Sequence, residues 1–129
     1  MAERINLEMP ATLSALSTLR MVMGGLGVRL EFSLDDLEDL YLATGELLRT
    51  ALADESLDRL HVAVEVDGGT LRIVAGAFSS PRLRAEVTVH EEACLDLCML
   101  LNSTVDEVTL EDSGDSYRVI LVKRRGGHP

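Results

Sequence analysis

Cys94 and Cys98 stand four residues apart in a helical pattern, a spacing at which two thiolates reach one soft metal ion. A closed site needs further ligands, and the chain has no other cysteine. Its three histidines, His61 in a strand-like run, His90 in the first turn of a helix-like run and His128 close to the C-terminus, show no ligand spacing. The cysteines therefore read as two small apolar residues on a buried helix stripe, and no metal is expected. Gly24, Gly25 and Gly27 form a GGxG string, but they follow an apolar helical run rather than open one, which reads as a helix stop and not as an anion nest. The sequence has no phosphate-loop string, no GxGxxG after a strand and no serine in a nucleophile elbow. What remains is acidic. Asp35, Asp36, Glu38 and Asp39 crowd the start of the second helical run, and Glu46 stands apart from them between Gly45 and Leu47. The helix dipole favours carboxylates near an N-terminus, so the cluster is either a solvated face or a docking surface for a basic partner. An ionised Glu46 in mid-helix needs a partner or water if it faces inward.

The whole chain shares this bias. Its 129 residues carry 22 acidic and 12 basic side chains, a net charge of -10 that repels phosphate backbones and anionic lipid and attracts a basic protein. Nucleic acid and membrane are thereby excluded as expected partners. With 47% hydrophobic and 26% charged residues the composition is that of a globular domain with a packed core. No apolar run reaches the roughly 20 residues of a membrane span, and Met1–Pro10 lacks the basic-then-apolar order of a signal peptide. The expectation is a cytoplasmic protein with reduced thiols, one domain over residues 1–125 and a flexible tail at 126–129.

The elements that must position these residues follow from periodicity. Ile5, Leu7 and Met9 alternate with Arg4, Asn6 and Glu8, which predicts a half-buried strand ended by Pro10. Leu13, Leu16, Leu19, Met23 and Leu26 predict a first helix from near Pro10 to the glycine cluster. Ser33 with Asp36 is a capping-box start for a second, longer helix that ends near Asp54. Alternation at Leu60, Val62, Val64 and Val66, then at Leu71, Ile73 and Ala75, flanks Gly68 and Gly69 and predicts a hairpin. The stretch 76–87 shows no period and reads as a loop. Thr88 and Glu91 cap a third helix with the stripe Cys94, Leu97, Cys98 and Leu101, followed by a second hairpin that turns at Asp112–Asp115. This order predicts an α+β two-layer sandwich: a mixed, mostly antiparallel sheet covered on one face by three helices. Glu65, Arg72, Glu107, Thr109 and Arg118 are expected on its open face.

The order of elements and four local strings resemble the RsbW-type anti-sigma factor serine kinases of bacterial partner-switching systems. The strings are MPATLSALSTLR, DLEDLYLATGELLRTAL, GGTLRIVAGAF and LLNSTVDEVTLEDSGDSYRVILVKR, and together they span roughly residues 3–125. The resemblance implies the ATP-binding fold shared with sensor histidine kinases and DNA gyrase, with ATP and Mg as cofactors of intact members. Its nucleotide boxes are altered here. Glu46 aligns with the general-base glutamate, but Thr50 stands where an asparagine holds magnesium, and a hydroxyl is a poor replacement for that carbonyl. The adenine-reading aspartate has no counterpart in Val74–Pro81, where Gly76 is the remaining glycine of the box, and no glycine occurs between Ser79 and Leu101 to wrap phosphates. Loss of metal ligand and phosphate loop together removes most of the electrostatic support for phosphoryl transfer. The expectation is a non-catalytic pseudokinase without ATP. Such a protein would bind a sigma factor or an anti-sigma antagonist, as in stress-response transcription regulation, through Asp35, Asp36, Glu38 and Asp39, and would form a homodimer. The rival expectations are an active serine kinase based on Glu46, and a dimeric scaffold that pairs with an intact kinase homologue.

Overall fold

A computed structural model describes residues 3–88 and 97–126. The sheet has five strands in the order β1-β2-β3-β5-β4: β1 Glu3–Pro10, β2 Arg59–Asp67, β3 Thr70–Phe78, β4 Glu107–Ser113 and β5 Ser116–Arg124. Each pairing among the described residues is antiparallel, so the expected mixed character of the sheet is not seen there. Gly68 and Gly114, with φ of +64° and +67°, turn the two predicted hairpins, where a side chain would be strained. Among the described residues the helices are α1 Ser14–Arg29, α2 Leu34–Leu52, α3 Pro81–Thr88 and α4 Leu97–Thr104.

The period-two pattern sorts the sheet faces as expected. Leu60, Val62, Val64, Leu71, Ile73, Val119 and Leu121 turn inward, and Leu19 and Met23 of α1, Leu40, Leu47 and Leu48 of α2, and Leu101 of α4 close the core above them. The five residues expected on the open face lie there by strand register, opposite the core-facing set. The capping box of α2 is formed: the Asp36 N–H donates to Ser33 Oγ at 3.0 Å, and the Ser33 N–H donates to the Asp36 carboxylate at 3.2 Å. Such a cap is worth about 1 kcal/mol.

Four expectations are corrected. The glycine cluster does not stop the first helix, because α1 begins at Ser14 and runs through Gly24, Gly25 and Gly27 to Arg29. A Cβ on Gly27 would lie 2.4 Å from Leu37 Cδ2 and one on Gly24 2.8 Å from the Tyr41 hydroxyl, so these two glycines let α1 approach α2. The stop comes later, where the Glu31 and Phe32 N–H groups donate to the Val28 and Gly27 carbonyls and Glu31 takes a φ of +61°.

The loop expected at 76–87 is instead the end of β3 followed by α3. Ser80 Oγ accepts from the Leu83 N–H at 3.2 Å with Pro81 at the first helical position, a start signal that the sequence did carry. An eight-residue helix that buries Leu83 and Val87 is too short to show a period. Thr88 consequently closes α3, donating its hydroxyl to the Arg84 carbonyl at 2.7 Å, rather than opening a helix. The covering layer therefore holds four helices among the described residues, not three. Glu91, Cys94, His90 and His128 lie outside the described residues, as does most of the expected tail.

Candidate functional site

Glu46 and Thr50 stand one turn apart on α2 and come together in a groove of about 600 Å³ between α2 and α4. Leu42, Glu86 of α3, and Leu97, Met99, Leu100 and Ser103 of α4 complete its lining. Leu42 and Met99 are exposed by 45% and 55%, high for large apolar side chains on opposite walls of one groove. The Glu46 carboxylate accepts from the Arg49 guanidinium at 2.9 Å, and the Thr50 hydroxyl donates to the Glu46 carbonyl at 3.0 Å. Glu86 accepts from Arg82 at 3.0 Å.

Gly76 does not join them. It pairs with His61 in the sheet and lines a depression on the open face with Arg4, Asn6, His61 and Arg118. A Cβ there would come within 2.9 Å of Arg118 Cγ and 3.1 Å of the Tyr117 carbonyl oxygen. Close approach of β5 beside the register shift at Ala75–Phe78 is therefore what requires a glycine at this position.

The acidic cluster of α2 divides in two. Lys123, fully buried on the core face of β5, donates to the Thr104 carbonyl at 2.9 Å and lies 3.4 Å from Asp39 and 3.9 Å from Asp36. Asp36 also accepts from the Gly126 N–H at 3.2 Å. Burial pushes the Asp36 carboxyl up, but the Ser33 and Gly126 N–H groups, the Ser33 side chain and Lys123 outweigh it and hold the group below its ordinary value near 3.8. Asp36 is thus committed inside the molecule rather than offered to a partner, and Asp39 is half committed. Asp35 and Glu38 are exposed and have no ion-pair partner among the described residues. With Leu42 and Glu46 they form one outward stripe at spacings of three and four. Sequence reasoning missed Lys123: the inward-facing register of β5 was its signal, but a lysine near a strand end ordinarily reads as solvated.

Among the described residues the charged side chains lining this groove are Glu46 and Glu86, each paired with an arginine of its own helix, and the lining itself offers no cation to a triphosphate. The sheet-side Gly76 is on the other face. No helix among the described residues is long and apolar enough to cross a membrane.

No family model matches the chain, and no curated protein matches it in sequence. Among solved structures it is similar to the crystal structure of the RsbU and RsbW domains of Rv1364c from Mycobacterium tuberculosis, with a TM-score of 0.70 and 15% sequence identity. The match covers 95% of this chain and 32% of that one, so the chain spans about a third of that chain's length. The chain shares the fold of the matched part of that structure, here a five-stranded antiparallel sheet with helices on one face.

Proposed function

We propose that this chain is a non-catalytic, anti-sigma-like regulator that binds a sigma factor or an anti-sigma antagonist in a partner-switching system. The observation that carries this reading is an RsbW-like fold whose α2–α4 groove presents carboxylates and apolar side chains in place of groups suited to a triphosphate. With Thr50 turned to a backbone carbonyl and Gly76 on the far face of the sheet, Glu46 lacks the surroundings of a phosphoryl-transfer base. A fold kept without its nucleotide chemistry retains what a binding module needs: a rigid scaffold and a charged surface that speeds encounter with a basic partner.

Affinity capture of tagged protein from its own cells, at low and high salt with partners identified by mass spectrometry, tests the reading. A sigma factor or its antagonist among the salt-sensitive partners supports it. Recovery of only the protein itself or an intact kinase homologue overturns it in favour of a scaffold. Calorimetry with Mg-ATP tests the kinase alternative, for which binding lost in Glu46→Ala is the required result.

A homodimer belongs to the same proposal. Leu13, Met21 and Val28 are exposed along α1, a helix without an acidic residue, and β1 is a sheet edge. Two molecules of charge -10 meet most readily over such a surface, whose charged side chains, Arg20 and Arg29, are both basic. Light scattering that gives a monomer at micromolar concentration counts against it.

A further inference from the structure

We infer that the α2–α4 groove is the docking site for a basic, amphipathic helical segment of a protein partner. The inference rests on the binding-module reading above and names its footprint. Leu42 on α2 and Met99 on α4 stand exposed in the groove, and Leu97 and Leu100 add to its apolar lining, so an apolar ridge has a place to lie. Around that floor carboxylates outnumber cations: Glu46 and Glu86 are each paired within their own helix, with Arg49 and Arg82, while Asp35 and Glu38 have no ion-pair partner among the described residues. Asp35, Glu38 and Glu46 follow α2 at helical spacing with Leu42 among them, and Glu86 faces them from α3. Lysines or arginines recurring every three or four residues beside an apolar stripe match this arrangement, and an acidic segment is rejected by it.

The walls are held for the purpose by Lys123. It ties Asp39 of α2 to the last turn of α4 through the Thr104 carbonyl, so the groove exists before a partner arrives. The same lysine draws Asp36 and Asp39 inward and leaves Asp35 and Glu38 facing out. The open sheet face differs in its apolar floor: its arginines and glutamates pair across strands over Ala63, Val74, Ile120 and Val122, which stay buried.

The test is methyl NMR of the full chain with an amphipathic probe peptide of leucine and lysine, about 18 residues and about 27 Å long when helical. A glutamate counterpart with the same leucines serves as the comparison. The lysine peptide is expected to shift the Leu42 and Met99 methyls and to weaken at least about tenfold between about 50 and 300 mM salt. A Glu38→Lys/Glu46→Lys double variant, both positions being solvent-accessible, is expected to weaken it by about tenfold or more while keeping the remaining methyl spectrum. Glu111→Lys on the sheet face is expected to change it by less than about twofold.

Equal binding of the glutamate peptide, shifts centred on Val74 and Ile120, or indifference to the double variant overturns the inference. So does protection of the Leu42 and Met99 methyls from a soluble nitroxide in the free chain: independent of concentration, it means the chain covers its own groove, and rising with concentration, a second copy does. If the double variant still captures the partner found with the unaltered protein, the groove fails and the binding-module reading stands. If the unaltered protein captures no such partner while the lysine peptide binds in the groove, the reading fails and the groove stands.

Discussion

The open face of the sheet and the outer face of the helices are both rich in charge, but they use it in opposite ways. On the sheet, Arg4 and Arg72 share Glu65, Arg118 pairs with Glu111, Arg124 with Glu107 and Arg59 with Glu8. These side chains lie over Ala63, Val74, Ile120 and Val122, which stay at most 9% exposed on the face that carries no helices. On the helical side Asp35 and Glu38 have no ion-pair partner among the described residues, and Leu42 and Met99 are about half exposed. Cross-strand neighbours cancel charge locally, whereas the helix stripe accumulates it. The first surface is satisfied by its own chain; the second leaves carboxylates and large apolar side chains exposed among the described residues.

The sharpest way to break that contrast is at Lys123. Lys123→Ala leaves Asp36, Asp39 and the Thr104 carbonyl without their shared donor, and the expected loss is about 3 kcal/mol, read from urea denaturation midpoints. Lys123→Met, which keeps the volume, is expected to cost less. Equal and small losses for both would mean that the buried ammonium does not hold the groove walls.

The α1–α2 contact comes next. Gly27→Ala forces a methyl against Leu37 and is expected to destabilise by about 1–3 kcal/mol. Gly25→Ala, where a Cβ meets nothing within 4 Å, is expected to stabilise by up to about 1 kcal/mol through helix propensity. The same sign for both in thermal melts would remove close approach as the reason for a glycine at 27.

On the sheet face, acid is the probe. Burial raises the Glu65 carboxyl, but hydrogen bonding and charge from Arg72, then Arg4, hold it below its ordinary value near 4.5. A depressed carboxyl contributes stability that is present above its unfolded value and lost as pH falls through the folded one. Unfolding free energy is therefore expected to drop by about 0.5–1 kcal/mol from this group below about pH 4.5. Glu65→Gln should flatten that part of the profile in urea titrations at successive pH values.

The smallest effect is expected for Arg118→Ala. Its exposed pairing with Glu111 is worth about 0–1 kcal/mol, so a loss much above this in chemical denaturation would show that the sheet face is more than a shielded surface.

Much of the scaffold was legible because it depends on neighbours in sequence. Alternation set which strand residues face the core, Gly68 with Gly69 and the stretch Asp112–Asp115 marked the turns, and Ser33 with Asp36 fixed the start of α2. Glu46 and Thr50, one helical turn apart, were certain to share a side of α2. The misread pieces depended on partners far away. Gly24 and Gly27 looked like a helix stop, yet they answer to Tyr41 and Leu37 on another helix. The α3 helix was too short to announce itself, although Tyr117 fixes its start by donating to the Ser80 carbonyl and Arg84 grips Asp112.

The sequence by itself determined the α+β class, the hairpins and the acidic character, since composition and short-range period are properties of the chain alone. Only the tertiary structure decided which carboxylates remain free. Lys123 at the end of β5 claims Asp36 and Asp39 across more than eighty residues, Gly76 turns to the face away from Glu46, and Leu42 and Met99 meet across a groove. Burial and ion pairing between distant segments exist only after the chain has closed on itself, and they fix what this surface has left to offer.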